Sequence, residues 1–432
     1  MATSDRESAW RAPRVCVLAV HHVRGRGHEL SGGAEKYLFD CVRGLLAAGA
    51  AVHVNFSGDD LYAELQAEAL ADRLTVERTD WVNAELGSDR RLSPRTIWAR
   101  RRWFRAARPD VVFVVQQGHG GAFGAAVAAA RWCGLRVVMS VRQPALAPPA
   151  ADASRRWGIF PRTGLWRRRL LWRSRSIARA CDAIVFNSEL VARGYVEQWG
   201  WPQARCRIIR NGVGPAEPRG HLLGDGRVVF GFVGQLAHHK GCDAAVAAFR
   251  RLRFEPGKAE LVFFGDGPEV ERLRRVAVGL PVRVAGKFAD RDFIFAGMDV
   301  LIAPSRRESS SNAVLEAMAR GIPCIVSDAG GLPELVEDGV SGFVVPAGDD
   351  IALAIRMQRL LADRTLLRSM GHAGRARALR YHDFDQRLDE TLETIWPGLA
   401  ARRPRVAAEA VVSTDGDAAA AGAAEGAAAA TV

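Results

Sequence analysis

Short apolar runs alternate with amphipathic helical patterns along almost the whole chain, and this alternation limits the folds that it can adopt. In the first half, the pattern predicts strands at residues 15–20, 51–55, 111–115, 135–140 and 183–187. Between the first two of these strands, apolar side chains recur with the 3.6-residue period of a helix. Strands and helices that alternate in this way are typical of parallel βαβ units.

The same pattern restarts after residues 215–226, a stretch rich in Gly and Pro that we interpret as a linker. The second half has predicted strands at residues 228–233, 261–264, 282–285, 300–303, 324–327 and 343–345. Two such halves predict an α/β protein with two Rossmann-like, doubly wound domains that face each other across a cleft. Ligands of these sheets bind beyond the carboxyl ends of the strands, so the cleft is the expected site.

Charge and cysteine usage narrow the function classes. The 432 residues include 60 Lys and Arg against 48 Asp and Glu, and the resulting net charge of +12 attracts polyanions, anionic lipid or phosphorylated substrates. No zinc-finger, RRM or helix-turn-helix signature accompanies this charge, so a nucleic-acid-binding protein is only an alternative. Residues 1–14 lack the apolar region of a secretory signal, and the seven Cys are scattered singly, which favours a cytoplasmic location.

The segment 304–321 carries the most chemical information. It reads PSRRESSSNAVLEAMARG and predicts a buried strand end, a polar loop and an amphipathic helix that stops at Gly321. Free N–H groups and the positive dipole end of such a helix favour a diphosphate, with a Ser of the loop as N-cap. Glu308 stands in the loop and Glu316 inside the helix. As isolated residues, both would be interpreted as solvated surface charges.

The context of the two glutamates resembles a known family. Glu308 and Glu316 are followed by Ala-Met-Ala-x-Gly-x-Pro and then by SDAGGLPELV at residues 327–336, with Gly339 and Gly342 beyond. This block resembles the retaining GT-B glycosyltransferases of family 4, and the resemblance extends over about residues 14–395. It implies transfer of a sugar from a nucleoside diphosphate sugar to a hydroxyl of a sugar, lipid-linked sugar or small-molecule acceptor. Synthesis of a cell-surface polysaccharide or glycolipid is the expected context.

The resemblance implies roles for the residues that match the family's motifs. Glu308 would bind hydroxyls of the donor sugar, Glu316 the ribose hydroxyls, and Lys240 the leaving diphosphate. Lys240 and the helix start supply positive charge, so the scheme needs neither a metal nor a cofactor, and the Asp-x-Asp matches at residues 290–292 and 383–385 lie away from the predicted diphosphate site. The other implied donor-binding residues are Gly32, Gly33, Gln235, Lys287, Phe288, Ser311, Asn312, Ala313 and Val314.

The chain departs from the family pattern at three points. The family's Arg is Gln235 here, which leaves Lys240 as the obvious cation, and Ser309 begins a Ser-Ser pair where the family often has Gly-Phe. Arg142 stands where the family commonly has a His, so Arg142 and His119 are the candidates on the acceptor side. A loop His without a catalytic role is the alternative for His119. Because of the missing Arg and His, a non-catalytic nucleotide-sugar-binding module is the second alternative function.

The resemblance also implies a division into domains. We expect an acceptor-side domain at residues 1–215 and a nucleotide-sugar-binding domain at residues 216–382. A helix at residues 383–398 is expected to cross back to the first domain. The Ala-rich residues 399–432 carry little that could form a core, so we predict that they are disordered.

A basic segment rich in Trp lies at residues 155–179. It reads RRWGIFPRTGLWRRRLLWRSRSIAR and crowds Arg around Trp157, Trp166 and Trp172, and residues 100–105 have the same character. One interpretation is peripheral binding to an anionic membrane at its inner face, with Trp at the interface and Arg on lipid phosphates. The other is a solvated helix face with ordinary core Trp.

Overall fold

The computed structural model describes residues 11–19, 33–56, 71–78, 93–116, 123–145, 164–218, 226–288 and 290–404. Its strands form two parallel sheets, one in each half of the chain, and helices cover both faces of each sheet. The predicted α/β class with two Rossmann-like domains is therefore confirmed. None of the helices in the described ranges combines the length and the apolar character that crossing a bilayer requires.

The seven strands of the first sheet are β1 (Arg14–Ala19), β2 (Ala51–Phe56), β3 (Leu74–Arg78), β4 (Val111–Gln116), β5 (Arg136–Val141), β6 (Ala183–Phe186) and β7 (Cys206–Ile208). Their order is β3-β2-β1-β4-β5-β6-β7, and all neighbours are parallel. The order reverses between β1 and β4, which is where a doubly wound sheet opens a crevice for ligands.

The six strands of the second sheet are β8 (Val228–Val233), β9 (Ala259–Phe264), β10 (Val282–Gly286), β11 (Val300–Ala303), β12 (Cys324–Ser327) and β13 (Gly342–Val345). They are parallel in the order β10-β9-β8-β11-β12-β13, so the reversal falls between β8 and β11. Each strand contains the range predicted for it. These strands are nearly all apolar because a parallel sheet is covered on both faces.

The helices around the first sheet are α1 (Gly33–Ala47), α2 (Pro94–Ala107), α3 (Gly124–Trp132), α4 (Gly164–Ala180) and α5 (Glu189–Trp199). The helices of the second half are α6 (Cys242–Arg250), α7 (Val270–Val276), α8 (Arg291–Ala296), α9 (Asn312–Ala319), α10 (Leu332–Leu335), α11 (Asp350–Ala362) and α12 (Arg364–Tyr381). A last long helix, α13 (Phe384–Ile395), corresponds to the helix predicted at the end of the patterned sequence.

Helix α13 packs on the first domain although it follows the second in sequence. Its Leu388 and Leu392 are buried in the same core as Leu38 and Leu45 of α1, and α1 and α13 are in contact. Full burial of one such side chain contributes about 1.5–3 kcal/mol. Helix α13 therefore supplies part of the core that covers the first sheet.

The chain crosses between the domains first near residues 211–213 and again near residues 382–384, and these two crossing segments lie side by side. The N–H of Val213 donates to the carbonyl of His382 at 2.7 Å, and Nδ1 of His382 lies 3.0 Å from the carbonyl oxygen of Asn211. A Cβ on Gly212 would lie 2.6 Å from Cα of Phe384, so only glycine fits there. The crossings are thus joined by backbone contacts next to the cleft.

Candidate active site

Two loops at the carboxyl ends of β8 and β11 position Lys240. Gly241 has φ +78°, and a Cβ there would lie 2.0 Å from the carbonyl oxygen of Pro304. The two loops therefore lie so close together that only glycine fits at position 241. Arg306 donates to both carboxylate oxygens of Asp243, at 2.6 and 2.9 Å. This bidentate pair holds the loop that contains Lys240 against the loop that contains Glu308.

Lys240 and Glu308, the two predicted catalytic residues, are in direct contact. Nζ of Lys240 lies 2.5 Å from Oε2 of Glu308, and the two side chains are 27% and 12% exposed. The other carboxylate oxygen of Glu308 accepts from the N–H of Ser309 at 3.1 Å. The structure therefore places a cation from the loop after β8 against a carboxylate in the loop that leads into α9.

Gly330 and Gly331 pack directly against the backbone of the loop that contains Glu308. Gly330 has φ +55°, and a Cβ there would lie 1.6 Å from the carbonyl oxygen of Glu308. A Cβ on Gly331 would lie 2.2 Å from the carbonyl oxygen of Ser309. The loop that contains Glu308 and Ser309, here called the glutamate loop, lies so close to Gly330 and Gly331 that no larger residue fits at either position.

The N-terminus of α9 faces the N-terminus of α1 across the two domains. Ser311 is the N-cap of α9, and its Oγ accepts from the N–H of Val314 at 3.4 Å. The first N–H groups of a helix have no partner within it, so those of Asn312 and Ala313 can bind a ligand. A Cβ on Gly33 would lie 3.2 Å from Nδ2 of Asn312. Two positive helix ends meet here, and this favours an anion such as a diphosphate.

Arg142 lies at the end of β5 and reaches the same region through Asn211. Nη1 of Arg142 donates to Oδ1 of Asn211 at 2.8 Å, and Nδ2 of Asn211 donates to Oδ1 of Asn312 at 2.7 Å. Nε of Arg142 donates to Ser140 at 3.0 Å, and the guanidinium lies 3.2 Å from the ring centre of Tyr37. The sequence pattern predicts roles for Arg142 and Asn312, and it assigns none to Asn211.

The domains also meet at Ser309 and Glu334. Oγ of Ser309 donates to the carbonyl oxygen of Arg142 at 3.0 Å. Oε1 of Glu334 accepts from Oγ of Ser188 at 2.7 Å and from the N–H of Leu190 at 2.9 Å, at the start of α5. Negative charge at a helix N-terminus is favourable, so Glu334 holds the second domain against the first. Sequence reasoning gave Glu334 no role.

Glu316 and Phe288 lie near helix α8. Glu316 accepts two hydrogen bonds from Arg291, one of them at 2.8 Å from Nε. The ring of Phe288 lies 6.0 Å from that of Phe264 and 5.1 Å from that of Phe293. Lys287 and Phe288 directly follow β10, and part of the Phe288 ring is exposed.

Gln235 is exposed at the end of β8. A Cβ on Gly265 would lie 1.8 Å from the carbonyl oxygen of Gly234, so the turn after β9 supports this loop. Gly32 and His119 lie outside the described residues.

The Asp-x-Asp carboxylates all accept hydrogen bonds within the fold. Asp290 accepts from N–H groups at the start of α8, and Asp292 pairs with Arg320. Asp383 accepts from the N–H of Gln386, and Asp385 pairs with Arg403. Each of the four carboxylates therefore has a structural partner.

A cavity of about 40 Å³ lies between α1, the first crossing and α13. It is lined by Lys36, Tyr37, Asp40, Cys41, Arg210, Asn211, Gly212, Asn312, Phe384, Arg387, Leu388 and Thr391.

Two family models match the chain. The model described as "Glycosyltransferase Family 4" matches residues 31–217, and the model described as "Glycosyl transferases group 1" matches residues 227–363. The two matches therefore cover both domains.

The similar curated proteins are transferases and synthases. The chain is 35% identical over 253 residues to the D-inositol 3-phosphate glycosyltransferase of Acidothermus cellulolyticus, covering 52% of this chain and 56% of the relative. It is 33% identical over 156 residues to the N-acetyl-alpha-D-glucosaminyl L-malate synthase of Bacillus anthracis, covering 35% and 40%. The chain thus spans about half or less of the length of these relatives.

Solved structures share this architecture over most of the chain. The Anabaena protein HepE in complex with UDP has a TM-score of 0.65 at 19% identity and covers 88% of this chain and 99% of that chain. WaaG, a glycosyltransferase involved in lipopolysaccharide biosynthesis, has a TM-score of 0.62 at 16% identity and covers 89% and 100%. The fold is the GT-B fold of glycosyltransferases. The chain belongs to glycosyltransferase family 4, which confirms the resemblance.

Proposed function

We propose that the protein transfers a sugar from a nucleoside diphosphate sugar to an acceptor hydroxyl, with retention of configuration at the anomeric carbon. The observation that carries the proposal is the contact of Lys240 with Glu308 in the loop that runs into α9. UDP and UDP-glucose are bound by the similar Anabaena protein, so a uridine nucleotide is the first donor to test.

The chemistry requires negative charge to be stabilised on the departing phosphate. As the bond between the anomeric carbon and the phosphate oxygen breaks, its electron pair goes to that oxygen, and the sugar gains oxocarbenium character. Lys240 and the N–H groups of Asn312 and Ala313 stabilise this charge. The acceptor oxygen bonds to the anomeric carbon on the same face, and its proton goes to the departing phosphate oxygen. Glu308 accepts hydrogen bonds from donor-sugar hydroxyls.

Glu316 and the residues after β10 bind the nucleoside in this scheme. A carboxylate has about four acceptor positions, so Glu316 can keep Arg291 and still accept from ribose hydroxyls. The base stacks on the exposed side of Phe288, beside the backbone of Lys287. Domain closure excludes water and so limits hydrolysis of the donor.

The acceptor belongs to a cell-surface polysaccharide or glycolipid in this proposal. Support comes from the name of one relative, the lipopolysaccharide core biosynthesis glycosyltransferase LpsE of Rhizobium meliloti, which is 32% identical over 210 residues. Trp98 of α2, Trp132 of α3 and Trp172 of α4 are 56%, 58% and 69% exposed. Helix α3 contacts both α2 and α4, and these two outer helices are rich in Arg, so we assign this basic tryptophan face to an anionic lipid surface.

Thermal unfolding in the presence of a panel of nucleotide sugars tests the donor. A ligand at about a hundred times its dissociation constant adds about 2.7 kcal/mol to the free energy of unfolding, which gives a clear shift in Tm. Product formation with the stabilising donor then supports the enzyme over a non-catalytic binding module. Binding to oligonucleotides with no response to any nucleotide sugar would favour the nucleic-acid alternative.

The proposed reaction needs no metal because Lys240 and the start of α9 provide the positive charge. Transfer activity is therefore expected to persist in excess EDTA. Complete loss of activity in chelator, restored by added Mg²⁺ or Mn²⁺, would contradict this part of the proposal.

A further inference from the structure

Among the residues that the structure describes, the guanidinium of Arg142 is a buried cation without a counter-ion. The residue is 7% exposed, and its Nη2 has no hydrogen-bond partner. Its other nitrogens donate to the neutral groups of Ser140 and Asn211. Within the ranges that the structure describes, no carboxylate pairs with it.

The neighbouring titratable groups do not supply the missing negative charge. Burial raises the pKa of Tyr37 to about 12, although Arg142 acts in the opposite direction. Burial likewise raises the pKa of Cys41 to about 12. Both groups are therefore neutral near pH 7. An unpaired buried charge is unfavourable, so Arg142 lacks the compensation that a buried cation needs.

The position of Arg142 connects it to both sides of the cleft. Its carbonyl oxygen accepts from Ser309, the residue after Glu308. Asn211 joins its Nη1 to Asn312 at the start of α9, through hydrogen bonds of 2.8 and 2.7 Å. Tyr37 and Asn211, which both contact Arg142, also line the cavity described above. The cavity thus adjoins two partners of Arg142.

We propose that Arg142 binds an oxyanion of a substrate, a phosphate or carboxylate group, in the cleft between the two domains. The proposal rests on the proposed function, since that function brings anionic substrates into this cleft. Two sources have the required chemistry: the diphosphate of the donor and an acidic group on the acceptor. A guanidinium binds either of them by charge-assisted hydrogen bonds.

Variants of Arg142 test the proposal against a matched control on the same strand. Arg142→Gln and Arg142→Met remove the charge, and Arg142→Lys keeps it. Arg136 begins β5, at the end of the strand opposite the cleft, and donates to the carbonyl oxygens of Ile395 and Thr394, so Arg136→Gln is the control. Thermal unfolding identifies the neutral variant that keeps a near wild-type Tm, and that variant is used.

Two binding measurements distinguish the sources. The first is calorimetric titration with UDP, and with GDP and ADP. The second is the Tm of the protein saturated with its nucleotide as inorganic phosphate is added. If Arg142 binds the diphosphate, the neutral variant weakens nucleotide binding by about ten-fold or more, and Arg142→Lys recovers part of it. If Arg142 binds an acidic acceptor, nucleotide binding is unchanged but the stabilisation by phosphate is lost.

The measurements distinguish a failure of the proposed function from a failure of the proposed role of Arg142. A wild-type protein that binds none of the three nucleotides contradicts the proposed function itself. A wild-type protein that binds a nucleotide, with a neutral variant that matches it in both measurements, overturns the role of Arg142 alone. An equal loss in Arg142→Gln, Arg142→Lys and Arg136→Gln would indicate a packing effect and also overturn it.

Discussion

Nζ of Lys240 lies 2.5 Å from Oε2 of Glu308, so the cation and the carboxylate of the site neutralise each other. The contact joins residues that are 68 positions apart, and two glycine-dependent loop approaches support it. A bound diphosphate must compete with Glu308 for Lys240 or share it. Glu308 thereby sets where the ammonium group points.

Lys240→Ala is expected to lower kcat/KM by about 10²–10³-fold, because it removes a preorganised charge beside the leaving group. The measurement is initial rate with the donor identified by thermal unfolding. Lys258→Ala, at an exposed lysine before β9, is the control and should keep the wild-type rate. Unchanged turnover and nucleotide affinity in Lys240→Ala would remove Lys240 from the mechanism.

Gly330→Ala is expected to disrupt the glutamate loop, because the new Cβ would lie 1.6 Å from the carbonyl oxygen of Glu308. We expect a loss of several kcal/mol in stability or a displaced loop with little activity. Gly339→Ala is a matched control. Gly339 also has positive φ, +77°, but a Cβ there meets nothing within 4 Å. Equal effects in the two variants would show that backbone strain, and not loop contact, is what matters.

Acid is expected to destabilise the fold through His382. Burial, followed by the charges of Arg210, Arg377 and Arg387, lowers the pKa of His382 to about 4 from 6.5. As the pH falls, the unfolded chain therefore binds a proton at His382 before the folded protein does. The stabilisation that comes from this shift is fully present above pH 6.5 and is lost as the pH falls towards 4. The full effect is on the order of 3 kcal/mol.

Urea unfolding between pH 7 and pH 4.5 measures this effect. His382→Asn keeps a donor for the carbonyl of Asn211 but does not titrate, so its stability should depend less on pH than that of the wild type. Parallel pH profiles for the two proteins would contradict the role of His382.

The basic tryptophan face is expected to bind anionic vesicles at low ionic strength. Replacing Trp98, Trp132 and Trp172 with Ser should weaken binding to vesicles of phosphatidylglycerol by about ten-fold, and added salt should weaken it further. Ile351→Ser with Ile355→Ser is the control, because these side chains are similarly exposed on the second domain. Co-sedimentation measures the bound fraction. Absence of wild-type binding at low salt would end the membrane assignment.

The strands of the second sheet could be predicted closely from sequence because buried parallel strands are continuous apolar runs. The two strands missed in the first half, β3 and β7, lie at the edges of the first sheet. β3 reads LTVER and β7 reads CRI, and the side chains of residues 74–77 and 206–208 are exposed or half-buried. Edge strands pair on one side only and need less apolar character, so their sequences resemble loops.

The contacts within the site could be predicted only in part. The motif identified Glu308 and the start of α9 because their chemistry is local to one loop and one helix. Asn211 lies 69 residues from Arg142 and 101 from Asn312, and no periodicity relates them. The role of Glu334 at the start of α5 depends in the same way on how the domains dock. Such long-range partners follow from the fold and not from a motif.

The packing of α13 on α1 makes the two domains inseparable as folding units. A fragment that ended at the first crossing would leave Leu38 and Leu45 without Leu388 and Leu392, and their apolar surface would face water. The last helix cannot complete that core until the second sheet has been synthesised. During synthesis, the core of the first domain therefore lacks these leucines until α13 has been made.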